Sequence, residues 1–278
     1  MPVRIKSAQV PGRALVAASF LALTGVPAVA GSIEAQYGIS LAGLTLGTAT
    51  LTGDISKTKY ALTARASLTG LAGMVSGGRG AATVTGTIQP QKVVPAAYAV
   101  TAASSDMTRT IQLGMNPGGV HTVVVHPPLE PKADRVPVKP EHQRGVLDPL
   151  SAILMPTPVA AGFSGAACNR TIPVFDGAQR FDVQLSYAGM KDVSAEGYSG
   201  QVIVCKARYH PVSGHRSERP ATKYMQANRD MEAWLAPTSV SGVFIPFRVS
   251  VKTMVGTTVI QAQRFVVGAA QATAKSGN

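Results

Sequence analysis

Two cysteines, Cys168 and Cys205, and five histidines, His121, His126, His142, His210 and His215, are the residues with the most obvious chemical potential. Two thiols allow a single pairing within the chain, and a disulfide is the expected product in an oxidising compartment. Neither cysteine has a second cysteine or a histidine at zinc-ligand spacing, so no metal site is expected there. His121 and His126 stand five apart, as do His210 and His215. Positions five apart on a strand face opposite sides, which separates the first pair. The second pair flanks a loop, where solvated or turn imidazoles are the default reading and a metal the weaker one.

Catalytic constellations are sparse. There is no Gly-x-Ser-x-Gly elbow for a serine nucleophile. Cys205 lies in a β-patterned run and is expected to be oxidised, which removes its thiolate. Acids that could work as a pair are few: Asp148 precedes Pro149 and reads as a helix cap, and Asp176 precedes Gly177 and reads as a hairpin turn. The glycine-rich stretch 70–80 lacks the Gly-Lys-Ser/Thr ending of a phosphate loop. The expectation is therefore a non-catalytic protein with no catalytic residues, no metal and no cofactor.

The cations form the other cluster. Lys206, Arg208, Arg216, Arg219, Lys223 and Arg229 crowd one span, with Glu218 as the only acid before Asp230. They make a candidate patch for anionic polymers or lipid headgroups, against the plainer reading of a solvated basic surface. The whole chain has a formal net charge of +12.

The compartment follows from the N-terminus. Arg4, Lys6 and Arg13 precede an apolar run, residues 14–23, that is shorter than the roughly 20 residues a bilayer span needs. Ala28 and Ala30 occupy the −3 and −1 positions of a secretory cleavage site, so residues 1–30 are expected to be a signal peptide cut after Ala30. No cysteine lies near the cut, which disfavours a lipid-anchored protein. The expected location is the periplasm, as a soluble protein. Removing the three cations of the leader and no acid would leave the +12 chain at +9. A basic protein there meets anionic envelope material and not nucleic acid.

The rest of the chain must position these groups, and its pattern is β. Residues 36–41 and 44–52 read as strands around Ala42-Gly43. Residues 59–68 alternate, with Tyr60, Leu62, Ala64 and Ala66 on one face. Residues 81–89 and 96–103 are further strands across a proline-bounded turn at 90–95. Residues 109–114 and 120–126 flank Asn116-Pro117-Gly118-Gly119, a strong hairpin signal. Residues 127–146 carry Pro127, Pro128, Pro131, Pro137 and Pro140 among many charges, a composition that holds neither helix nor sheet interior. A short helix is expected from Asp148, with Leu150, Ile153 and Leu154 on its apolar face. Strands resume at 168–174, 181–187 and 200–209, then a helix at 222–229, and strands at 231–236, 247–253 and 258–267. The predicted fold is all-β with minor α: one strongly curved antiparallel sheet, a half-open barrel around a short helix, spanning 31–268 with a frayed tail at 269–278.

Several pieces of the second half recur together in a known group. They are Leu147-Asp148-Pro149-Leu150-Ser151; Cys168 with Val174-Phe175-Asp176-Gly177 and Arg180-Phe181; Tyr198-Ser199-Gly200 with Val204-Cys205; and Tyr209-His210-Pro211-Val212-Ser213-Gly214. Tyr37-Gly38-Ile39-Ser40-Leu41 followed by Gly47 is the matching opening. By their order and spacing the chain resembles the bacterial domain-of-unknown-function family 3108. That resemblance implies a half-open β-barrel like that of periplasmic lipoprotein carriers, and it transfers no catalytic residue. The expected role is binding of an apolar or amphipathic envelope component, with peripheral membrane contact. The alternative is an assembly factor contacting envelope proteins or anionic polymers, and the remotest reading is a cell-wall or lipid hydrolase.

Overall fold

In the computed structural model, which describes Met1 and residues 31–69, 77–240 and 242–269, the chain is one antiparallel sheet. Its strands are β1 (Gly31–Leu41), β2 (Leu44–Ile55), β3 (Lys59–Leu68), β4 (Arg79–Gln89), β5 (Lys92–Ala103), β6 (Thr108–Asn116) and β7 (Gly119–His126). After a long connection come β8 (Met155–Pro156), β9 (Arg170–Phe175), β10 (Arg180–Ala195), β11 (Tyr198–Ser213), β12 (Met231–Pro237), β13 (Val243–Thr253) and β14 (Gly256–Ala269). Helix α1 (Pro220–Ala227) joins β11 to β12. The sheet order is β7-β6-β5-β4-β3-β2-β1-β14-β13-β12-β11-β10-β9, with β8 beside β13.

The order shows how the chain manages a large sheet. Every step but one pairs sequence neighbours, which keeps pairing local. The exception is β1 beside β14, so the first and last described strands meet in the middle of the sheet and its edges are β7 and β9. The sheet is not closed by edge-to-edge pairing. Instead the chain between the two edges crosses the seam: Gly145 N–H donates to Gly118 C=O, and Leu147 exchanges hydrogen bonds with Pro173 C=O and Phe175 N–H on β9. The two halves also touch at the β9–β10 turn, where a Cβ on Gly177 would lie 2.3 Å from a methyl of Ile111 on β6.

Two buried clusters fill the molecule. The first joins Ile33, Ala35, Tyr37, Leu51, Leu62, Val84, Tyr98 and Leu113 to Phe247 and Phe265, and receives Val146, Leu150 and Leu154 from the connection. The second joins Ile172, Val174, Leu185, Ile203, Cys205, Leu235 and Phe244 to Met155, Ala167 and Cys168. Adjacent residues of one strand go to different clusters: Val202 to the first, Ile203 to the second. Residues 202–205 of β11 are all buried, which is why the sequence there reads as a continuous apolar run and not as an alternation.

Two local expectations are corrected. Pro95 lies inside β5 and not in a turn: the register slips between Thr85 and Gly86, Gly86 faces Pro95, and the irregularity takes a residue with no N–H to give. The turn shrinks to Pro90-Gln91. The segment from Asp148 does not build a helix: a single α-type bond, Ala152 N–H to Asp148 C=O, runs into a 3-10 turn, Ser151–Ile153, and Pro156 in β8, which has no N–H to continue the ladder, follows two residues past Leu154. The turn still occupies the place foreseen for the helix, packed against the sheet.

Candidate functional site

The connection 146–156 supplies side chains to both clusters, Val146, Leu150 and Leu154 to the first and Met155 to the second, and so lies between them. Asp148 anchors it. Its Oδ1 accepts from Leu150 N–H at 3.0 Å and from Ser151 N–H at 2.8 Å, as the sequence reading of a cap required. Ser151 Oγ lies 2.6 Å from Tyr60 Oη, which pins the turn to β3. A glycine at 86 makes this contact feasible, since a Cβ there would sit 2.5 Å from the phenol oxygen. Asp148 and Ser151 are both fully buried. Burial pushes the Asp148 carboxyl up, against the hydrogen bonds from Ser151 and Leu150 that pull it down. Burial likewise raises the phenols of Tyr60 and Tyr98, and the nearby Asp148 adds to both.

An acid, a hydroxyl and a phenol within reach of one another are ingredients of proton transfer. Here the hydroxyl and the phenol bond to each other, Asp148 Oδ1 accepts from backbone while its Oδ2 is enclosed without a hydrogen-bond partner, and neither Asp148 nor Ser151 lines a cavity described below. The arrangement works as a latch that holds the connection in place.

Behind the latch lies an apolar pocket of about 260 Å³. Pro149, Ala152 and Ile153 form its lid side, and β9 to β13 form its floor through residues such as Ile172, Leu185, Ala207, Ala233 and Val249. Glu232 and Ser250 are the only lining residues with a polar side chain. Met155 and Met231 also line it, and unbranched thioethers adapt to occupants of varied shape. Sequence reasoning missed this pocket. Its floor is made by small and medium residues on five strands, and alternation marks them as buried without saying against what.

The disulfide braces the same wall. Cys168 and Cys205 have their sulfur atoms 2.02 Å apart and their Cα atoms 5.3 Å apart. Both residues are fully buried, and the link ties the chain just before edge strand β9 to β11, two strands further in.

A larger cleft, about 700 Å³, opens at the seam between the sheet edges. Its walls are the β4–β5 turn with Lys92, the β6–β7 turn at Asn116-Pro117, the connection at 145–147 and 154–158, and β9 from Arg170 to Pro173. Arg170 donates through one terminal nitrogen to Pro156 C=O at 2.8 Å, while its Nε is buried without a partner.

The six cations of the sequence-derived patch are divided. Arg216 holds Asp134 at 2.9 Å and Lys223 holds Glu218 at 2.7 Å. Arg208 is partly buried, with its Nε enclosed and without a partner. Lys206 and Arg229 share a shallow pocket with Asp230, Glu232 and Lys252. Arg219 is exposed beside α1. Asp134 could not be foreseen as a partner because it is 82 residues from Arg216 in sequence. His210 faces Gln184 at 3.3 Å, and Nδ1 of His215 is enclosed without a partner. Among the described residues no three His, Cys, Asp or Glu side chains converge as a metal site. No helix among them is long and apolar enough to cross a membrane. Ala28 and Ala30 lie outside the described residues, as does the tail 270–278.

Comparison with known proteins gives a family match and solved structures of similar fold. Residues 34–263 match a family described as "Protein of unknown function (DUF3108)". The crystal structure of a beta-barrel-like protein of domain of unknown function DUF1849 from Brucella abortus is similar with a TM-score of 0.47 and 10% identity, over 87% of this chain and 99% of that chain. No curated protein matches.

Proposed function

The chain belongs to the DUF3108 family, and we propose that it acts outside the cytoplasm as a non-catalytic binding protein of the bacterial envelope that holds an apolar group in the pocket behind the latch. The observation that carries this reading is the lining of that pocket, where two polar side chains stand among seventeen residues. Water in such a space finds few partners, so an apolar occupant gains by displacing it. With about 260 Å³, just under the roughly 300–1,000 Å³ of typical ligand sites, the pocket suits one short chain or ring of an amphipathic molecule and not a whole lipid. Export is supported by the leader-like N-terminus together with the buried cysteine pair at bonding distance.

The test uses a fluorescent apolar probe, N-phenyl-1-naphthylamine, and native mass spectrometry of protein isolated from the periplasm. The probe is expected to bind the wild type and to lose about tenfold in affinity in Ala207→Leu or Ala233→Leu, which place added side chain in the pocket, as a lost apolar contact of 1–3 kcal/mol implies. Equal binding by all three proteins would remove the pocket from consideration, and a clean apo mass under gentle conditions would count against a tightly held natural ligand.

Peripheral contact with anionic headgroups is a second, weaker element of the reading, and it rests on the cations of the patch that form no ion pair among the described residues. Neutralising Lys206, Arg219 or Arg229 to Gln should weaken binding to phosphatidylglycerol-containing vesicles by about fivefold each, from roughly 1 kcal/mol per cation near the surface. Neutralising Arg216 or Lys223, already held by Asp134 and Glu218, should change it by less than about twofold. Vesicle sedimentation distinguishes the two groups, and identical losses in both would show that only overall charge matters.

A further inference from the structure

The seam cleft has the chemistry of a site for polypeptide. Phe175 N–H and Pro173 C=O both turn away from β10 and bond to Leu147. In an antiparallel pair these directions alternate along the strand, so the N–H and C=O of Thr171 also point away from β10. Thr171 lines the cleft and is exposed. At this point the connection has left β9 and crossed to Gly118 at the other edge. The wedge between its two anchor points is the cleft, and the outward backbone groups of Thr171 lie on its floor.

The side chains around that edge offer donors and positive charge. Arg170 keeps an enclosed Nε–H with no acceptor. Lys92 is exposed on the opposite wall and takes part in no ion pair among the described residues. Among the described residues no Asp or Glu lines the cleft. Five prolines, Pro95, Pro117, Pro156, Pro158 and Pro173, stiffen the walls, so little order has to be imposed on binding. An acyl chain in this space would cover the edge groups without bonding them, at a cost of about 1–3 kcal/mol for each unmatched group. A strand would bond them.

We propose that the seam cleft receives an extended acidic segment of a partner protein, which adds to the free edge of β9 at Thr171 while its carboxylates meet Arg170 and Lys92. This is strand addition with charge selection, in which main-chain bonds give affinity and side chains give preference. It is independent of the apolar pocket, with which the cleft shares only the lining residues Met155 and Ile172.

The experiment titrates the full chain with three blocked hexapeptides: valine alternating with glutamate, valine alternating with lysine, and the glutamate peptide with alternate amides N-methylated. The glutamate peptide should bind about tenfold more tightly than either of the others, the size expected for losing one close charge pair or the edge hydrogen bonds. It should also slow hydrogen exchange at the Thr171 amide. Lys92→Gln with Arg170→Gln should reduce its binding by about tenfold or more, and the charge-matched Lys206→Gln with Arg229→Gln should leave it unchanged. The N-methyl comparison uses the unaltered protein, so it stands even where Arg170→Gln perturbs folding. Equal binding of the N-methylated peptide, or equal loss in the control variant, or no protection of Thr171, would each overturn the proposal. So would protection of Thr171 that rises with protein concentration in the absence of peptide, which would make the occupant a second copy of the chain.

Discussion

Replacing Cys168 and Cys205 together by alanine is expected to lower stability by about 4 kcal/mol. The two residues are separated by 37 positions, and closing a loop of that size removes about this much chain entropy, expressed as free energy, from the unfolded state. In a chain of this size the loss corresponds to a fall of roughly 8–16 °C in Tm. Alanine keeps both sites apolar, so no unpaired polar group is introduced. Thermal unfolding of wild type and double variant, each with and without reductant, checks the claim. Reductant should bring the wild type to the level of the variant and leave the variant alone. A difference below about 1 kcal/mol would mean that packing around the fully buried sulfurs, and not the covalent link, holds the wall. The consequence reaches function through position. Cys168 lies two residues before the start of edge strand β9, which supplies Ile172 and Val174 to the apolar pocket and Arg170 and Thr171 to the cleft. Freed from β11, that edge would fray first, and both sites with it.

Asp148→Ala should cost about 2–5 kcal/mol, and Asp148→Asn far less. The alanine leaves the enclosed N–H groups of Leu150 and Ser151 without their acceptor, at about 1–3 kcal/mol each. Asparagine retains an oxygen at the same place. The two variants also separate by pH. Desolvation raises the Asp148 carboxyl in the folded state above its ordinary value near 4. The folded protein therefore holds that proton more firmly than the unfolded chain does, and the associated stability is complete at low pH and lost as pH rises through the raised folded value. The asparagine side chain does not titrate. Going from about pH 4 to pH 8, wild type should lose stability relative to Asp148→Asn. Urea unfolding at the two pH values measures it; an unchanged difference would mean that the carboxyl is as easily ionised in the fold as in the open chain. Asp176 is raised in the same direction by burial, so the comparison must be made against the asparagine variant and not read from the wild-type profile alone.

The latch packs the inner face of the curved sheet where it crosses. Val146, Leu150 and Leu154 lie in the first cluster. The apolar pocket lies on the other side of the same segment, and the cleft is the wedge where it leaves β9. The connection that read as a proline-rich interruption is thus the element that shapes both sites. Its prolines exclude it from the sheet, and its apolar residues then bury themselves against the sheet.

The sequence alone determined that the chain is a run of antiparallel strands, and it placed most of them and several of the turns. Tyr60 and Leu62 alternate with the exposed Lys59 and Ala61 and both are buried; Asn116-Pro117-Gly118-Gly119 joins β6 to β7 as its composition demands; two cysteines admit one bond; Asp148 caps the turn after it. Each of these is a local property, set by backbone geometry and by the contrast between apolar and polar positions a few residues apart. Only the tertiary structure decided that Pro95 is absorbed by an irregular register with Gly86, that Asp134 neutralises Arg216, that Tyr60 meets Ser151, and that β7 and β9 stay apart with the connection laid across them. Those outcomes depend on which distant surfaces come into contact. A periodic pattern says that a residue is buried, and it carries no information about the partner that buries it.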